Sequence, residues 1–114
     1  MQVFKCPGIE ANFMAENPLA RIGELDPKTL EQVRALQAFA MDNKGELPKK
    51  VKLLFAMALD AAHGAVNGVK SLAMQAKREG ATKGEIMEAL RVALYVNGAS
   101  CVYTADAALR EIDL

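Results

Sequence analysis

Tryptophan is absent and aromatic residues make up only 5% of the chain. A core assembled from large rings, each burying roughly 150–250 Å² of surface, is therefore excluded. Cysteine occurs twice, at Cys6 and Cys101, with no CxxC and no zinc-ligand spacing. That pattern does not support a disulfide framework, so a reducing compartment, the cytoplasm, is expected. Charge of one sign is not in excess: 14 basic and 14 acidic residues give a net charge of zero. A nucleic-acid partner would call for a basic patch, and none is expected. The densest basic cluster, Lys49, Lys50 and Lys52, reads as solvated surface at a helix start. The apolar run Leu53–Leu59 is too short to span a bilayer and ends at Asp60. Met1–Lys5 has no apolar h-region, so neither a signal peptide nor a membrane partner is expected. No P-loop, dinucleotide fingerprint or metal-ligand motif occurs, and neither a cofactor nor a metal is expected.

What the chain does have is aliphatic surface. The apolar fraction is 52% and the charged fraction 25%. At 114 residues, residues 1–114 are expected to form one domain. Such a domain buries about two-thirds of its unfolded surface. The apolar excess points to a subunit interface, so a homo-oligomer is expected.

Residues 1–25 read as an irregular N-terminal segment punctuated by Pro7, Gly8, Pro18 and Gly23, with a short helix fitting around Asn17–Arg21. Asp26 and Pro27 then suit an N-cap and a first helical position. Leu30, Val33, Leu36, Phe39 and Ala40 follow at three- and four-residue steps. Pro48 restarts a long Ala-rich segment, Lys49–Arg78. Its expected stripe is Leu54, Ala58, Ala61, Ala65 and Val69, with Phe55, Leu59, Ala62 and Val66 beside it. Gly64 and Gly68 predict a kink or break, because each glycine costs about 1 kcal/mol in a helix. Gly80 is a stop signal, and Thr82 with Glu85 forms a capping-box pattern. Ile86, Leu90, Val92, Ala93 and Val96 carry the next helix to Asn97-Gly98. The last helix opens at Ser100 and runs to about Glu111, with Ala105, Ala108 and Leu109 inward. No segment alternates with period two. The expected fold is all-α, about five helices with short connections.

Two stretches carry a family resemblance. One is Gly45-Glu46-Leu47-Pro48-Lys49-Lys50-Val51-Lys52-Leu53-Leu54. The other is residues 76–86, Ala-Lys-Arg-Glu-Gly-Ala-Thr-Lys-Gly-Glu-Ile, followed by Ala89-Leu90 and the run Ala93–Ala99. Together they resemble the core of the carboxymuconolactone decarboxylase/AhpD-like family over residues 45–110. The resemblance implies an AhpD-like helical fold, assembled as a trimer or hexamer of this chain. In the redox-active branch a Cys-x-x-Cys-x-x-x-His motif sits at a helix break, with a Glu one helix earlier. An ungapped count back from Gly80-Ala81-Thr82 puts the two cysteine positions on Ala65 and Gly68, the His on Leu72 and the Glu near Leu53. No cysteine lies between Cys6 and Cys101, so CxxC-dependent alkylhydroperoxidase activity is not expected. The decarboxylase branch also lacks the CxxC but carries a His where this chain has Leu72.

Asp60, His63, Asn67 and Lys70 are spaced three, four and three apart, within the segment where the resemblance places an active site. They form a candidate polar pocket, with His63 as acid/base and Asp60, Asn67 and Lys70 as binding groups, Lys70 an anion clamp. The bland alternative is a solvated helix face. Cys101 reads first as a small buried hydrophobe and second as a redox thiol. Three functions follow: binding a small molecule, with or without a non-redox lyase or isomerase step; a non-catalytic oligomeric scaffold; and weak peroxide reactivity through Cys101.

Overall fold

The computed structural model describes residues 18–42 and 44–114. Among them the chain is all-α, with α1 (Pro18–Leu25), α2 (Pro27–Ala40), α3 (Lys49–His63), α4 (Val66–Arg78), α5 (Lys83–Asn97) and α6 (Ser100–Leu109). These residues group into two compact units divided between Ala40 and Met41. No described helix is long and apolar enough to cross a membrane.

In the first unit, helix α1 occupies Pro18–Leu25, where a short helix is expected around Asn17–Arg21, and runs on to the end of the segment expected to be irregular. Asp26 is the break and the cap. Its carboxylate accepts from the Thr29 N–H at 3.3 Å and the Thr29 hydroxyl at 2.5 Å. These bonds favour the charged form and hold the Asp26 pKa below its ordinary value. Gly23 lets Leu30 approach closely, since a Cβ there would lie 2.6 Å from Leu30 Cδ2. The three- and four-residue apolar pattern of α2 does make a helix, but the helix buries no residue. Leu36 and Phe39 are exposed.

In the second unit α3 packs on α4, α5 and α6, and α6 packs on α3, α4 and α5. Helices α3 and α6 are thus the central pair, with α4 and α5 flanking. Leu53, Met57 and Ala61 of α3 face Val69, Ala73 and Ala76 of α4, Ile86, Leu90 and Ala93 of α5, and Cys101, Ala105 and Ala108 of α6 within one buried cluster. More than half of this cluster is alanine. Helices can then approach closely, while each contact removes little apolar area from water. The buried row of α3 is Leu53–Met57–Ala61; of the expected stripe, Ala61 and, on α4, Val69 are buried, whereas Leu54 and Ala58 are half-buried, and Phe55 and Leu59 are exposed. The α3 sequence is apolar all round from Leu53 to Leu59, so packing, not periodicity, selects the inner face.

The expected break in Lys49–Arg78 is a helix C-terminus. Gly64 is left-handed at φ 77°. Its N–H donates to Ala61 O at 3.3 Å, and Ala65 N–H donates to Asp60 O at 2.9 Å. This pair of bonds is a Schellman motif, which a residue without Cβ adopts at low cost. Helix α4 ends the same way at Gly80, with Ala81 N–H on Ala76 O at 2.8 Å. Thr82 and Glu85 form the reciprocal capping box at the start of α5. Helix α6 stops at Leu109, two residues before the expected Glu111.

Candidate functional site

The break at Gly64 divides the predicted polar stripe between two helices. His63 is the last residue of α3 and is exposed. Asn67 is exposed in the first turn of α4. Asp60 is half-buried with its carboxylate directly over Gly68; a Cβ at Gly68 would lie 2.8 Å from Asp60 Cγ and closer still to Oδ2. Lys70 is buried at 7% exposure. Its ammonium lies 2.6 Å from Glu111 Oε1, so the anion it clamps belongs to the chain itself. The Lys70 hydrogen bond, with its charge, holds the Glu111 pKa below the ordinary range. One α4 face therefore fastens the segment after α6: Lys77, two turns on from Lys70, donates to the Asp113 carbonyl.

Three of the positions matched to the dithiol motif follow the same break, and the fourth, Leu53, lies near the start of α3. Ala65 is the N-cap of α4, Gly68 lies beneath Asp60, Leu72 is half-buried and Leu53 is fully buried. Among the described residues no group of His, Cys, Asp and Glu gathers that could hold a metal. Cys6 lies outside the described residues.

A pocket of about 370 Å³ opens between α5 and α6. On α5 it is lined by Met87, Leu90, Arg91 and Leu94, a three- and four-residue stripe. On α6 the lining is Cys101, Val102, Ala105, Asp106 and Leu109. The space exists because the α6 residues at its floor, Cys101 and Ala105, are too small to fill the gap to α5. Leu90, Cys101 and Ala105 are buried, whereas Met87 and Val102 are partly exposed at the mouth. The Cys101 thiol is 1% exposed and points at the Ala93 carbonyl at 3.6 Å. The two charged lining residues differ. Asp106 is paired with Arg110 one turn on. Arg91 is exposed and has no ion pair among the described residues.

None of Asp60, His63, Asn67 and Lys70 lines this pocket; of the residues singled out by sequence, Cys101 does. Met87, Arg91, Val102 and Asp106 were missed. The available signal was two facing helical stripes, large residues on one and a Cys/Ala pair on the other.

The chain's likeness to known proteins agrees with this architecture. The model of the carboxymuconolactone decarboxylase family matches residues 23–111. The crystal structure of an apo carboxymuconolactone decarboxylase family protein from Legionella pneumophila superposes with a TM-score of 0.74 at 29% identity, covering 82% of each chain. No curated protein matches the sequence significantly.

Proposed function

Because the chain belongs to the carboxymuconolactone decarboxylase family, we propose that it is a small-molecule-binding member that works without dithiol peroxidase chemistry. The observation that carries this is the apolar pocket between α5 and α6. Its volume lies within the roughly 300–1,000 Å³ of ligand sites, and apolar walls with a few polar groups are their usual make-up. Any chemistry there is of a non-redox kind, a lyase or isomerase step, since the thiol in the pocket has no second cysteine beside it in sequence and is buried. A cytoplasmic location goes with this reading, on the cysteine usage.

The test is direct binding of a neutral apolar probe, 1-octanol, followed by calorimetry. Heat of binding is expected for the native chain. Val102→Trp, which fills the mouth from a partly exposed position, is expected to abolish it. Binding that survives this substitution would place the ligand elsewhere. Turnover of an organic hydroperoxide with a dithiol reductant is expected to stay at the level of a variant lacking both cysteines.

A second reading has its own observation. Phe55, Leu59, Val92, Tyr95, Val96 and Tyr103 are all exposed. An apolar surface of this kind fits contact between copies of the chain, in a homo-oligomer such as a trimer or hexamer. Sedimentation at monomer mass across micromolar concentrations would end that reading.

A further inference from the structure

Resting on the pocket assigned above, we infer that its ligand is an apolar monocarboxylate, with its hydrocarbon body against Leu90, Cys101 and Ala105 and its carboxylate on Arg91. Charge complementarity selects this ligand class. Among the described lining residues, only Arg91 and Asp106 bring formal charge. Asp106 is already paired with Arg110, four residues on. Arg91 projects from the same α5 stripe as Leu90 and Leu94 and has no ion pair among the described residues. The uncompensated charge at the pocket is therefore a single cation on an otherwise apolar wall. A guanidinium offers a planar fork that matches a carboxylate. A ligand with several charged groups would leave all but one of them against Leu90, Leu94 and Leu109 without a partner, at a desolvation cost. A cationic ligand would meet Arg91 with no unpaired carboxylate in the described lining to offset it.

The experiment compares three probes of one chain length on the full chain at near-neutral pH and low salt: octanoate, 1-octanol and octylammonium. Octanoate is expected to bind tighter than 1-octanol by about threefold to fivefold, the range of a partly exposed ion pair. Octylammonium is expected to bind more weakly than either. In Arg91→Gln, octanoate falls to the affinity of 1-octanol, while Glu88→Gln, at the neighbouring exposed charge, keeps the preference. Raising the salt narrows the gap. Equal affinities of octanoate and 1-octanol in the native chain, or a preference for octylammonium, would overturn the carboxylate assignment while leaving the pocket reading in place. Failure of all three to bind, or octanoate binding unaffected by Val102→Trp, would overturn both.

Discussion

Lys70 on α4 and Glu111 beyond the end of α6 form a 2.6 Å ion pair in which the lysine is buried and the glutamate is half open to solvent. The pair ties the last residues of the chain to a helix 41 positions earlier. Glu111 is held below its ordinary pKa, first by the Lys70 hydrogen bond and then by its charge. A carboxylate whose folded pKa is lowered contributes stability that is fully present above its unfolded value, about 4.3, and is lost as the pH falls through the folded value. Glu111→Gln is therefore expected to flatten the loss of stability between about pH 5 and pH 3. Part of the slope remains, because Glu85 and Asp26 are shifted in the same direction. Urea midpoints measured across that range check this; parallel profiles for native and variant chains would count against it.

Gly68 and Asp60 make a second, tighter relationship. In an exposed helix position Gly→Ala is worth up to about 1 kcal/mol of stability. At Gly68 the added methyl meets the Asp60 carboxylate. The Asp60 side chain must give way, so Gly68→Ala is expected to yield none of that gain. In an Asp60→Ala background the same substitution is expected to stabilise. The difference between the two backgrounds in a double-mutant cycle is the readout. The same contact bears on the dithiol pattern: a cysteine at residue 68 would require the Asp60 side chain to rotate away.

Caps and breaks were legible in the sequence because they are local. Asp26 with Thr29, Thr82 with Glu85, and the stops at Gly64, Gly80 and Gly98 each depend on residues a few positions apart. The inner face of α3 was not legible, since Leu53, Leu54, Phe55, Met57, Ala58 and Leu59 all satisfy an apolar pattern and only packing on α4, α5 and α6 distinguishes them. The division of the polar stripe was hidden for a related reason. Its spacing is regular in sequence, but the Schellman turn at Gly64 redirects the chain between His63 and Asn67. Lys70 shows the limit most clearly. A lysine at a helical step reads as surface charge until a partner distant in sequence is known to cover it. The pocket is a property of two helices together, where the small residues Cys101 and Ala105 face the stripe of α5.

The start of α5 joins a local cap to a longer-range contact. Thr82 Oγ1 accepts from Glu85 N–H at 3.0 Å, and Glu85 Oε1 accepts from Thr82 N–H at 3.0 Å. The other Glu85 oxygen accepts from Lys50 Nζ of α3 at 3.0 Å. Thr82→Ala is expected to cost about 1 kcal/mol, the usual worth of an N-cap, and Thr82→Ser to restore most of it. Lys50→Met is expected to cost less than Thr82→Ala, because the Lys50–Glu85 pair is partly exposed. Chemical denaturation of the three variants ranks them. A Lys50→Met penalty larger than that of Thr82→Ala would show that the contact between α3 and α5, rather than the cap, secures this end of the helix.

Cys101 lies at the floor of the pocket with 1% of its surface exposed, on a helix whose buried neighbours are Ala105 and Ala108. A thiol reacts as thiolate and only where a reagent can reach it. In a Cys6→Ser background, so that a single thiol is observed, Cys101 is expected to resist a bulky disulfide reagent in the native state and to react fully in denaturant. Its slow native rate should follow the opening of the α5–α6 pair: Leu90→Ala, which removes a buried side chain from the facing stripe and costs about 2–5 kcal/mol, is expected to raise it. Octanoate seated in the pocket should lower it. Rapid native modification would mean that the thiol is open to solvent and would return Cys101 to consideration as a reactive group. Protection by octanoate that Arg91→Gln removes would tie the thiol, the cavity and the cation to one ligand.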